Sequence, residues 1–249
     1  MALFSFHCQN YKKGALKGID GHNRRLHKNH ISNPDIKTEL SCNNRIYKKP
    51  KQSLYADCKK LIQKKVIANG NRVRSDSNWI VECIFTYPSD LPLERLDEYN
   101  NLILKYMSAR LGEDNLLEAV CHVDESGNFH MHADYALITC ENRLSSRTLI
   151  TRDFIRSVHD KLPIVLQHHG FDVQRGQSVP ARKSGRSAAQ YKKDMEKEKE
   201  ALNKKLDSMI AEYNKLVEHY NQLLAKAKAL AERNYIIARE VLEERERTR

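Results

Sequence analysis

In the stretch AVCHVDESGNFHMHADYALIT, residues 119–139, the side chains of His122, Asp124, Glu125, His130, His132 and Asp134 fall close together. In an extended strand, side chains alternate between faces. His122 and Asp124 then share one side, and His130, His132 and Asp134 share one side of the following strand. A hairpin pairing His122 opposite His132, with Asp124 opposite His130, projects all five from one face. Three imidazoles on a rigid sheet make a site for a divalent metal with open positions for substrate. Neighbouring acids hold the ring tautomers. A polar, solvent-facing hairpin is the alternative, but H-x-D followed by H-x-H-x-D favours the metal. Such a cation suits phosphodiester chemistry, because it polarises a phosphate and offsets charge developing in the transition state. The reaction still needs a nucleophile, either water or a side chain that forms a covalent intermediate.

The charge distribution agrees with a polyanionic substrate. Of the 249 residues, the first 77 carry 17 Lys and Arg against 5 Asp and Glu, a net of +12 in a chain whose total is +11. The excess lies in stretches such as RIYKKPK and KKLIQKK, an electrostatic footprint for nucleic acid. No run of eighteen apolar residues appears, so membrane insertion is not expected. The start, MALFSFHCQNYKKG, lacks the charged-then-apolar order of a secretion signal. Six cysteines without C-x-x-C spacing read as reduced thiols of a cytoplasmic protein.

The elements that must position the cluster follow from pattern. ALFSFHC at 2–8 and NWIVECIFTY at 78–87 read as strands. Residues 14–50, with three glycines and two prolines, read as irregular loops. KQSLYADCKKLIQKKVI contains a helix with Leu54, Cys58, Leu61 and Ile62 on its apolar side. Residues 94–111 form a helix ending at Gly112, and residues 151–169 a helix interrupted at Pro163, whose last carbonyls His168 and His169 would meet. The cluster itself supplies two strands around Ser126-Gly127-Asn128. The fold class is α+β, an antiparallel sheet with covering helices. Beyond this domain, placed at residues 1–190, an apolar stripe from Met195 through Leu202, Leu206, Met209, Tyr213, Leu216 and Tyr220 to Val241 recurs mainly in steps of three and four. It predicts a long coiled-coil helix over 191–249 and a homodimer formed through it.

A second motif bears on the question of the nucleophile. GHNRR at 21–25 resembles the H-N-x-R motif of the MobV (Pre/Mob) family of plasmid mobilisation proteins, and NPDIKTELSCNN resembles the segment that follows it. HVDESGNFHMH resembles that family's H-x-D-E…H-M-H motif, in the same order and at comparable distance. The resemblance covers roughly residues 1–195. It implies a relaxase of the histidine-hydrophobic-histidine superfamily, which nicks one strand at a plasmid origin of transfer and stays attached to the 5′ phosphate. By the same resemblance His22 is the nucleophile and Arg25 contacts the phosphate or orients the reacting groups. His122, His130 and His132 bind Mn2+ or Mg2+, and Glu125 holds or deprotonates His22. The partners implied are single-stranded and hairpin origin DNA and the conjugation coupling machinery.

The chain departs from the family pattern in two places. An extra residue lies between H-x-D-E and H-M-H, and Asn44 stands where the family has a tyrosine. Tyr11 is the other residue that could act as nucleophile, and His27 and His30 read as loop or DNA-backbone residues. Two further functions share these features: a rolling-circle replication initiator with the same chemistry, and a non-enzymatic, dimeric DNA-binding repressor.

Overall fold

The computed structural model describes residues 2–26, 36–88, 90–125, 129–176 and 188–247. The chain divides into two compact units, Met1–Ser178 and Val179–Arg249. The first is built on a six-stranded sheet in the order β2-β4-β5-β3-β1-β6. Its strands are β1 (Ala2–Lys12), β2 (Arg45–Lys48), β3 (Asn78–Thr86), β4 (Leu116–His122), β5 (His130–Ala136) and β6 (Val173–Arg175). Neighbours pair antiparallel except β6, which runs parallel to β1 at one edge.

Strand alternation divides the sheet into two chemically different faces. One face carries Phe85, Met131, Ala133 and Tyr135 against helices α3 (Leu96–Leu111) and α5 (Arg152–His168), which contribute Tyr99, Ile103, Met107, Val158, Leu162 and Leu166 to a single buried cluster. Complete burial of each such side chain stabilises the fold by about 1.5–3 kcal/mol. Truncating Leu162 to alanine is therefore expected to cost about 2–5 kcal/mol. The other face carries His132, Asp134 and Ala136, covered in part by α1 (Leu16–Asn23) and α2 (Leu54–Ile62) through a second cluster of Leu16, Ile19, Leu54, Cys58, Ile62 and Ile80. The acids and histidines of this second face are what the first face lacks.

Several expectations need correction. Residues 14–50 are not irregular throughout, because they hold α1, a 3-10 turn at Thr38–Asn43 and the edge strand β2. Leu16, Ile19 and Asn23 are buried on one side of α1, and that packing outweighs the low helix propensity of Gly18 and Gly21. The predicted helix at 151–169 is continuous through Pro163, which is itself buried; burial of Val158, Leu162 and Leu166 offsets the hydrogen bond that proline cannot donate. The last carbonyls of the helix, of Leu166 and Gln167, accept from the backbone N–H groups of His169, Phe171 and Gly170, while Arg95 donates to the carbonyls of His169 and Gly170 just past its end.

Other elements match closely. Gly112, at φ 92°, ends α3, and the Ser53 hydroxyl caps α2 by accepting from the Ala56 N–H at 3.1 Å. Short α4 (Ser146–Leu149) is capped in the same manner by Ser145. In the second unit, α6 (Ala188–Arg247) is one helix of 60 residues. Leu202, Leu206, Met209, Tyr213, Leu216 and Tyr220 are exposed along it.

Candidate active site

The hairpin register differs from the expected one by two residues. His122 lies opposite His130, Val120 opposite His132 and Glu118 opposite Asp134, while Asp124 falls beyond the end of β4. A two-residue shift keeps each side chain on its face, since the strand period is two. The three histidines therefore still converge: ring centroids are 5.4 Å apart for His122–His130, 4.8 Å for His122–His132 and 5.0 Å for His130–His132. The Ser126-Gly127-Asn128 turn lies outside the described residues, as do His27 and His30.

α1 brings the H-N-x-R motif onto this cluster. The helix ends in a turn where the Arg25 N–H bonds the His22 carbonyl and the Leu26 N–H bonds the Gly21 carbonyl. Arg25 takes the left-handed position of that turn, φ 54°, which glycine normally fills. Its side chain explains why it is held there. The guanidinium donates to both carboxylate oxygens of Asp124 at 2.9 and 2.7 Å, to Glu125 at 2.7 Å and to the His22 carbonyl at 2.8 Å. Ser41 adds a hydrogen bond to Asp124 at 2.5 Å, and Asn44 accepts from the Val123 N–H. Asn44, standing in place of the family tyrosine, thus secures the end of β4. Burial opposes the charged forms of Asp124 and Glu125, but the Arg25 guanidinium prevails, helped by the Ser41 hydroxyl at Asp124 and by the His122 ring 3.5 Å from Glu125, and both carboxyls sit far below the ordinary range.

His22 itself stacks edge-on against His122 and His132, with centroids 5.2 and 5.4 Å away. Its Nε2 is 3.6 Å from Glu125 and its Nδ1 3.5 Å from Arg25. Burial, reinforced by the two neighbouring histidines, pushes its pKa down to about 4, so the ring is neutral at neutral pH. Tyr11 is placed differently. Burial, with a hydrogen bond to Glu82, pushes its hydroxyl up to about 12, far from a ready phenolate.

Two ring tautomers are set by neighbours. His132 Nδ1 is 2.9 Å from Glu82 and His122 Nε2 is 3.0 Å from the Asn23 carbonyl. Each partner is an acceptor, so those nitrogens carry the protons and the lone pairs lie on His132 Nε2 and His122 Nδ1. Both of these atoms are buried and make no hydrogen bond. Unpartnered buried imidazole lone pairs, with a carboxylate beside them, fit a divalent transition metal. Ligand atoms able to share an ion form two overlapping sets, His22/His122/His132 and His122/Glu125/His130, with His122 common to both.

Beneath the histidines lies an acidic layer that sequence reasoning found only in part. The Asn23 amide donates to Glu118 at 3.2 Å and to Asp134 at 3.0 Å, tying α1 to β4 and β5. Burial pushes Glu118 up to about 7 and Asp134 well above the carboxylate range. Glu82 and Glu118 were not singled out. The available signal was an acid inside an otherwise apolar strand, in WIVECIF and LLEAVC, where an unpaired charge is too costly to bury without purpose.

The Mob_Pre family model, described as plasmid recombination enzyme, matches residues 1–193. The chain belongs to the Mob_Pre family of plasmid recombination enzymes. Among its Mob_Pre relatives is a plasmid recombination enzyme of Bacillus thuringiensis, 31% identical over 202 residues, covering 79% of this chain and 44% of that protein. Another, from Lactiplantibacillus plantarum, is 31% identical over 187 residues, covering 73% of this chain and 50% of that protein. The chain thus spans about half the length of these curated relatives. A solved Mob_Pre structure, the manganese-bound MobM relaxase domain with plasmid oriT DNA, superposes with a TM-score of 0.70 at 26% identity, over 78% of this chain and 100% of that one. Among the described residues no helix is long and apolar enough to cross a membrane.

Proposed function

We propose that the protein nicks one strand of plasmid DNA at an origin of transfer and holds the 5′ phosphate covalently on His22. The observation that carries this reading is the neutral His22 ring set against His122, His132 and Glu125 at the end of α1. Attack by the imidazole on the scissile phosphorus forms a P–N bond and breaks the bond to the 3′-oxygen. The proton lost by the ring balances the one gained by the 3′-oxygen, which departs as a hydroxyl. Glu125, facing Nε2 and kept ionised by Arg25, is the group that holds the ring in its orientation. Arg25 orients: its donors are engaged by Asp124, Glu125 and the His22 carbonyl, so it fixes the nucleophile's turn and the carboxylate beside it.

His122, His130 and His132 are the residues proposed to hold a divalent metal. Bound there, Mn2+ or Mg2+ would neutralise phosphate charge as it develops. Manganese is favoured by the manganese-bound MobM relaxase domain, and an imidazole-rich donor set agrees. DNA is the proposed partner, since the MobM domain was solved on oriT DNA and residues 1–77 of this chain carry a net +12. We further propose that residues 1–190 are the nicking domain and residues 191–249 a dimerising tail in a cytoplasmic protein. The exposed apolar stripe of α6 supports the tail's role, because so long a stripe is stabilised by a second helix. Supercoiled plasmid bearing the cognate origin should be relaxed by the protein with Mn2+ and not after chelation. Binding without nicking under any divalent ion would favour a repressor instead.

A further inference from the structure

On the flank of α1, next to the turn that carries His22, lies a cavity of about 500 Å3 lined by Lys13, Lys17, Asp20, Gly21, Leu26, Ser53 and Tyr55. Gly21 immediately precedes His22 and Leu26 immediately follows Arg25, so the cavity borders the proposed nucleophile's own turn. Its walls differ in chemistry. Tyr55 is 39% exposed, yet its ring is stacked on buried Trp79, 5.7 Å between centroids and 9° from parallel. One face of Tyr55 is thus braced, and the braced ring borders an open cavity where a third flat ring could extend the stack. Leu26, 55% exposed, supplies a further apolar wall. Lys13 and Lys17, one helical turn apart and both exposed, stand at the rim.

A braced aromatic platform, an apolar wall and two ammonium groups make complementary surfaces for a nucleotide, whose base is flat and apolar-faced and whose phosphates are anionic. A duplex could not present its bases to such a platform, because they are stacked on one another. We propose that this pocket takes one unstacked base of the single strand beside the scissile phosphate, with Tyr55 as the stacking platform and Lys13 and Lys17 on the flanking phosphates. The assignment rests on the nicking function proposed above and adds a site for reading sequence next to the cut. Tyr55 and the lysines lie outside the histidine cluster, so they act on affinity and on choice of site.

The test is an abasic scan. A single-stranded DNA is selected for tight binding to the full chain from a random library, and its nucleotides are made abasic one at a time. With the parent protein, one abasic position should weaken binding by about 5- to 150-fold, the range for loss of one base–aromatic stack. In Tyr55→Ala that position's penalty should vanish while the others persist, and Tyr55→Phe should behave as the parent. Equal penalties at every position in the parent and Tyr55→Ala would overturn the pocket while leaving nicking intact. Failure to select any strand would overturn the nicking reading and the pocket with it.

Discussion

Replacing Arg25 probes the joint that holds the site together. Its side chain is 8% exposed and pairs with Asp124, at 0%, and Glu125, at 13%. Arg25→Ala leaves two carboxylates in a poorly solvated place without their cation. Removing one partner of a buried pair costs about 3–5 kcal/mol. In a domain of this size each kcal/mol shifts Tm by roughly 2–4 °C, so a fall of about 6–20 °C is expected. Trp79 is the single tryptophan and lies in the sheet, so its fluorescence reports this domain and not the α6 helix. Arg25→Gly loses the same ion pair but relieves the left-handed backbone at φ 54°. It should melt above Arg25→Ala by up to about 1 kcal/mol, or 2–4 °C. An alanine variant melting within about 2 °C of the parent would refute the ion-pair argument. A glycine variant melting below the alanine one would refute the strain argument.

Three further outcomes are expected. Combined His130→Ala and His132→Ala should abolish nicking while most DNA affinity survives in a filter-binding assay, because affinity comes from lysine and arginine contacts to phosphates; full nicking would eliminate the metal assignment. The folded-state pKa of His22 lies below its ordinary value, so the stability linked to its neutral form is present above pH 6.5 and lost as pH falls towards about 4. Single-turnover nicking should accordingly hold its rate below pH 6.5, and an acid limb centred at 6.5 would contradict a buried neutral ring. Removing residues 200–249 should convert a dimer to a monomer by light scattering yet preserve oligonucleotide nicking, and a monomeric full-length chain at tens of micromolar would count against the α6 seam.

How much of this was legible in the sequence depends on the range of the interactions. The β3 strand, the Gly112 terminus of α3 and the three converging histidines follow from period and local residue type, which need no knowledge of neighbours. The hairpin register did not follow, because it is decided by contacts with distant residues, such as the Asn23 amide that donates to both Glu118 and Asp134, and H-x-D beside H-x-H-x-D accommodates either offset. The faces survived the error because a shift of two preserves them. α1 was missed since its glycines argue against a helix locally, while its burial against α2 and the sheet is decided by distant residues. Glu82, Glu118 and Asp134 are brought together by the fold, Glu118 and Asp134 through Asn23, so only Asp134, beside H-x-H, stood out. Arg25 was visible as a motif residue. Its engagement by Asp124 and Glu125, a hundred positions away, was not.

The central claim is that His22 is the nucleophile, and the direct measurement is mass spectrometry of the protein–DNA adduct formed on its own origin strand. The predicted result is one modified peptide, containing His22, joined to the 5′ phosphate through a P–N bond that survives alkali, breaks in mild acid and is absent in His22→Ala. An adduct stable to both acid and alkali that maps to Tyr11 would contradict it.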